Sequence, residues 1–271
     1  MKDRRKSVWT RLGIFLVLCL IFLWGVLFYG HSSTLPSGES LEAPSVNHYL
    51  GTDNLGIDIY AQISRGFFRS MTIGLLAAGL TFLLAGVLGI SAGYLGGVFD
   101  NVVSFLIQLL LSIPQLPVMI LVGAFFGQSM GNIIVIIALF SWAPIAKQLR
   151  AKTISIRNTP YIRLAKSYGG KHFYLICRHM LPELLPLLLV NALGVIGAAI
   201  VQEASLAFLG LSDPLAKSWG LMISRARAFP GIFFTDFWKW WLLPPVAALV
   251  ASTVSLRLLA KAVESAWLKE V

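Results

Sequence analysis

The 271 residues are 57% hydrophobic and only 13% charged, about half the charged share of an ordinary soluble domain. That composition excludes a water-solvated globular fold and points to lipid as the solvent. The net charge of +10 is accounted for by the basic loops that membrane proteins keep on their cytoplasmic side. No aromatic-basic interleaving or nucleic-acid motif accompanies it, so nucleic acid is excluded as a partner and the lipid bilayer is the expected one.

The charges are also clustered. No Asp, Glu, Lys or Arg occurs in 70–99 or in 101–146, and with about 20 apolar residues needed per crossing these stretches hold at least three. The chain opens on Lys2, Arg4, Arg5 and Lys6, followed by an apolar run over 12–29. That run is longer than the 7–15 residues of a cleaved signal and no small-x-small site follows it, so it reads as an uncleaved first helix. Six helical spans are expected, at 12–30, 71–95, 102–127, 132–149, 184–207 and 239–260, which makes the fold an all-α polytopic membrane bundle. The organisation is a first helix with an external segment (1–70), a core of five helices (71–260) with a cytoplasmic loop at 150–183, and a tail (261–271).

Orientation follows from Lys and Arg. With the N-terminus inside, residues 2–11, 147–183 and 257–269 place sixteen of the 22 basic side chains in the cytoplasm. Arg65, Arg69, Lys217, Arg225, Arg227 and Lys239 are left outside. The inverted topology would put the sixteen outside, so both termini are expected in the cytoplasm of a prokaryotic plasma (inner) membrane protein. No internal repeat is visible, which gives an inverted-repeat secondary transporter no support.

In the second span Ala85, Gly89, Gly93 and Gly97 recur every four residues. Such a small-residue ladder lets helix backbones approach closely, the main means of association where lipid is as apolar as Leu; a moving gate helix is the alternative. Pro114, Pro117, Pro144, Pro244 and Pro245 are expected to kink or interrupt their spans.

Several strings could carry chemistry. Gly127-Gln-Ser-Met-Gly131 matches the G-x-S-x-G of a serine-hydrolase elbow, but that elbow needs a strand-turn-helix setting and a nearby His base. The string falls between two spans, and His31, His48, His172 and His179 all lie outside the spans. No metal-binding spacing is present, and Cys19 and Cys177 are placed neither to pair nor to hold an ion. Gly169-Gly-Lys-His172 lacks the upstream Gly and the following Ser/Thr of a phosphate-binding loop, so the chain is expected to bind no ATP and to catalyse no reaction. Glu203, preceded by Gln202, is the acid set well inside an apolar run. Intramembrane ionisable groups are functional candidates, and both residues are candidates for the pathway or its gate; a structural hydrogen-bonding role is the alternative.

The loop 150–183 is the most patterned polar segment. Tyr161-Ile-Arg-Leu-Ala-Lys-Ser-Tyr-Gly169 reads as a short amphipathic helix ended by Gly. Pro182 sits where a new helix can dispense with its N–H. A basic loop bound to lipid headgroups would need no such punctuation; docking onto a protein is the better account.

The loop resembles the EAA loop of ABC-importer permeases: Glu-Ala-Ala, three residues, Gly, nine residues, Ile, one residue, Leu-Pro. Ala165, Gly169 and Leu181-Pro182 keep that spacing. Further strings are similar to the dipeptide/oligopeptide/nickel class: Leu50-Gly-Thr-Asp-Asn-Leu-Gly-Ile-Asp58, Ser91-Ala-Gly-Tyr-Leu-Gly-Gly97, Arg178-His-Met-Leu-Pro182, Glu203-Ala-Ser-Leu-Ala-Phe-Leu-Gly210 and Ser218-Trp-Gly220. The resemblance implies a type I importer permease whose coupling residues are Tyr161, Ile162, Arg163, Leu164, Ala165, Lys166 and Gly169. It implies as partners a second homologous permease, one or two ATP-binding-cassette ATPase subunits that bind the ATP and Mg, and an external solute-binding protein. The implied substrate is a short peptide, with nickel, another metal or a metal chelate as the alternative. The chain departs from the family at Arg163 and Leu164, which replace the motif's Glu and first Ala, so the partner's groove is expected to carry a compensating acid.

Overall fold

The computed structural model describes residues 2–127, 129–211 and 217–267, which are helical with a single isolated β-bridge, Thr52 to Asp58. Ten α-helices follow one another: α1 (Lys2–Leu27), α2 (Ile59–Leu95), α3 (Gly97–Ser112), α4 (Gln115–Phe126), α5 (Met130–Arg157), α6 (Pro160–Ser167), α7 (His172–Leu175), α8 (Leu181–Phe208), α9 (Trp219–Ala228) and α10 (Leu243–Trp267). π-helical turns, Ile176–Met180 and Trp238–Leu242, lead into α8 and α10. Five segments are long and apolar enough to cross a membrane: Val8–Leu27, Ile59–Leu95, Met130–Arg157, His172–Phe208 and Trp238–Ala266. α3 and α4 make a sixth if the pair, bent by 88°, counts as one crossing. Their outer faces expose Leu83, Val87, Phe105, Val135 and Val250, an apolar surface that suits lipid and would aggregate in water.

Contacts between helices set their directions. α5 runs parallel to α2, with Ala146 and Leu149 against Gly89 and with Arg150 and Thr153 against Gly93. α8 is antiparallel to α2, with Leu188 beside Gly86 and Ile196 beside Gly74. α1 is antiparallel to both neighbours: Phe22 stacks on Phe67 of α2, and Arg11 donates to the Leu258 carbonyl of α10. One end of the bundle therefore holds the 28–58 loop and α9. The other holds the start of α1, the end of α10 and the whole α5–α8 connection.

The boundaries differ from expectation where polar residues hide helix. The second span begins at Ile59, not 71, so the last third of the expected external segment is helical. Asp58 accepts from the Ala61 amide as N-cap, and the polar first turns are buried: Gln62, Ser64 and Ser70 are at most 3% exposed. The third span is two helices instead of one. Ile113 is extended ahead of Pro114, as the ring of a following proline demands, and the chain turns there. α5 outlasts its apolar stretch by eight residues, because the Arg150 guanidinium pairs with Asp100 and Arg157 donates to the Tyr94 carbonyl. Pro144 sits inside α5 without ending it, and Pro244 and Pro245 fall in the opening turn of α10.

Of the small-residue ladder, Ala85 is fully buried, and a Cβ at Gly89 or Gly93 would come within 2.8 Å of Ala146 O or 2.7 Å of Arg150 O. Gly97 is not part of it. It opens α3 at φ +60°, with nothing within 4 Å of a Cβ. Gly93→Val should therefore lower stability by overpacking, by about 1–3 kcal/mol, read as a lower midpoint of thermal unfolding in detergent. Gly97→Ala should cost only the backbone strain of a left-handed Ala, about 1 kcal/mol. Equal losses at the two positions would refute the close α2–α5 approach.

Candidate functional site

The α5–α8 connection forms a compact arm at one end of the bundle. Asn158 and Thr159 make the corner, the Thr159 amide and hydroxyl both donating to Ile156 O. Pro160 then takes the first position of α6, where its missing N–H is no loss. The far end of α6 closes in a Schellman motif: Gly170 N–H donates to Ala165 O and Gly169 N–H to Lys166 O, both at 3.0 Å. Gly169 takes φ +85°, the left-handed geometry this motif requires.

Two faces of α6 have different surroundings. Ile162 is 2% exposed and Ala165 half-buried, seated on a floor that includes the fully buried Leu175 and Met180. Tyr161, Arg163, Leu164, Lys166 and Tyr168 face outward, Tyr168 at 88% exposure. Phe173 and Tyr174 of α7 extend this surface. The arm is tied down at two points. Tyr94 at the end of α2 bonds through its hydroxyl to His172 Nδ1 at 2.8 Å, and Tyr161 donates to the Glu183 carboxylate. Burial and that carboxylate push the Tyr161 phenol up to about 12, so it remains a donor throughout the neutral range. Beside α6 a cleft of about 290 Å³ is lined by Tyr94, Arg157, Asn158, Arg163, Lys166 and His172 among others. Its cations offer hydrogen-bond donors that suit a carboxylate or phosphate. Exposed aromatics thus stand beside cations on a supported helix, a composition that protein interfaces favour.

Gln202 and Glu203 lie near the other end and point into different interfaces. The Gln202 and Gln115 amides bond to each other, tying α8 to α4. Glu203 is 1% exposed, with the Ser218 side chain as a hydrogen-bond partner and Arg69 in electrostatic reach. Around it the strings 203–210 and 218–220 meet: a Cβ on Gly220 would strike Ala204, and Trp219 Nε1 donates to Ile63 O at 2.9 Å. The 50–58 string is equally built. Asp53 Oδ1 accepts from Leu55 and Ile57 N–H, and its Oδ2 from Gln62 Nε2.

Ser129 of the G-x-S-x-G string is the N-cap of α5, accepting from Asn132 N. Its setting is helix-turn-helix, not the strand-turn-helix of a nucleophile elbow, and Gln128 lies outside the described residues. One cluster escaped the sequence. His31, His48 and Asp58 bring ligand atoms within 4.8 Å of one another, although their separations match no metal-binding spacing.

Residues 85–269 match the family model of the binding-protein-dependent transport system inner membrane component. The chain is 32% identical over 240 residues to the dipeptide transport system permease protein DppC of Bacillus subtilis (strain 168), covering 87% of this chain and 74% of that protein. It is 31% identical over 228 residues to the glutathione transport system permease protein GsiD of Pectobacterium atrosepticum, with coverages of 83% and 76%. With the probable D,D-dipeptide transport system permease protein DdpC of Escherichia coli (strain K12) it shares 31% over 260 residues, 95% of this chain and 85% of the other. With a helical bundle of five or six crossings and a capped helical arm at one end, the chain belongs to the inner membrane components of binding-protein-dependent transport systems, the permeases of ABC importers.

Proposed function

We propose that the chain forms half of a translocation pathway for short peptides and transmits to it the work of ATP hydrolysis done by partner subunits. The carrying observation is the arm: a capped helix, anchored through Ile162 and Tyr161, that presents Arg163, Leu164, Lys166 and Tyr168 outward. Such a surface suits a groove on one of one or two cytoplasmic ATP-binding-cassette subunits, which would bind the ATP and Mg. The chain itself would be no enzyme. A second, homologous permease completes the pore, and an external binding protein delivers the solute. The names of the relatives favour peptides over nickel or metal chelates. With the arm in the cytoplasm of a prokaryotic cell, both chain ends are cytoplasmic too, in keeping with the placement of Lys and Arg.

Closure of the ATPase pair would drag the arm, and through it α5, between inward- and outward-facing arrangements. Selectivity in such a system rests largely with the binding protein, and this chain supplies the path and the linkage.

The cationic cleft gives Arg163 a defined task, to meet an acid of the ATPase groove. Arg163→Glu should reverse that contact and cut ATP-dependent peptide uptake in proteoliposomes at least tenfold with the native partners, since breaking a close interfacial charge pair costs about 2–5 kcal/mol. Unchanged or improved uptake would refute the pairing, and failure of the wild-type chain to co-purify with an ATP-binding-cassette subunit would refute the function. Gly169→Val should strain the left-handed cap by about 1–2 kcal/mol and fray α6. Uptake should fall while the thermal unfolding midpoint of the bundle stays within a degree or two of the parent's.

A further inference from the structure

The loop between α1 and α2 gathers ligand-bearing side chains from three segments. His31 follows α1, His48 lies in mid-loop, and Asp58 caps α2. His48 and Asp58 are buried, at 4% and 0% exposure, while His31 is half-buried and forms the accessible side. His48 Nδ1 is 2.8 Å from Asp58 Oδ2, the two imidazole rings are 4.7 Å apart between centroids, and one ligand atom from each of the three residues lies within 4.8 Å of the other two.

Ligands on a tetrahedral zinc at about 2.0–2.1 Å stand about 3.3–3.4 Å from one another, inside the range spanned here. Two imidazoles and a carboxylate are the donor set of borderline ions such as zinc, not of magnesium or calcium, which take oxygen. The surroundings are those a bound ion needs. Glu42 Oε2 lies 3.8 Å from His48 Nε2, so with Nδ1 on the ion the imidazole proton sits on Nε2, towards a carboxylate. A closing of that distance by a few tenths of an ångström would give the N–H···carboxylate contact that orients ligating histidines. Asp58 is itself held by the Tyr29 hydroxyl at 2.8 Å and the Ala61 amide at 2.8 Å. Capping α2 employs Oδ1 of Asp58, while Oδ2 faces both the Tyr29 hydroxyl and His48 Nδ1, and a second imidazole beside His48 adds nothing to the cap.

We propose that His31, His48 and Asp58 form a site for one divalent transition-metal ion of the zinc class, with Glu42 as the positioning residue behind His48. The ion would fasten the end of α1 to the start of α2. The site stands apart from the docking arm and does not depend on the transport function proposed above.

The test is equilibrium dialysis of the full chain in detergent, its affinity tag removed, against zinc chloride, followed by elemental analysis. One zinc per chain with saturable, micromolar affinity is expected, together with a zinc-dependent rise in the thermal midpoint. His31→Ala should weaken binding at least tenfold and abolish that rise. Should His31→Ala melt below the parent without zinc, His31→Gln serves the same comparison. The double variant Cys177→Ser, His179→Ala removes the soft ligands of the arm and should keep the zinc. No saturable zinc in the parent, zinc retained in the His31 variants, or zinc lost in the double variant would each overturn the site.

Discussion

The approach of α2 to α5 is the constraint on which the rest of the molecule depends. In lipid no hydrophobic effect drives helices together, and association relies on van der Waals contact at short range. Gly89 and Gly93 let the α2 backbone come down onto Ala146 and Arg150, where a side chain would have to push the helices apart. The same device recurs along α2, with Gly74 against Ile196 of α8 and Gly66 against Trp219 of α9. α2 is thus the axis about which α1, α5, α8 and α9 are arranged.

The charged groups bonded across this axis lie near its ends, where they help to fix its geometry. At the arm end, Asp100 holds Arg150, and Arg157 and His172 both bond to Tyr94. At the opposite end, Asp53 and Asp58 organise the loop while Glu203 and Ser218 join α8 to the start of α9. Strings far apart along the chain, 50–58, 203–210 and 218–220, belong to this one end. Their shared surroundings constrain them together: Gly220 must stay small beneath Ala204, and the Ser218 side chain meets the buried Glu203 carboxyl group.

Apolar runs were enough to reveal five crossings, and a sixth where the bent α3–α4 pair counts as one, because lipid demands long apolar helices. Helix that is not apolar was invisible to the same criterion. The first three turns of α2 contain Gln62, Ser64, Arg65 and Arg69 and read as loop, since the partners that bury Gln62 and Ser64 lie elsewhere in the chain. The 88° break between α3 and α4 was signalled by Pro114, but the angle was not. The arm was the most legible part of the site. Gly169 and Pro182 act locally, so their meaning survives without the tertiary structure. His31, His48 and Asp58 show the opposite case, a cluster made wholly by the return of the chain to one spot.

The continuation of α5 past its apolar stretch has a mechanical meaning. Twenty-eight residues without a break make a rod about 42 Å long, rooted among α2 and α8 and rigidly joined at its tip to α6. A rod of that length turns a tilt of about 10° into a displacement of about 7 Å at its tip. Run in reverse, a thrust of a few ångströms on the arm becomes a rotation of the packed helices too small to break their contacts. In the coupling proposed above the molecule would be geared: large motion at the water side, small motion in the lipid.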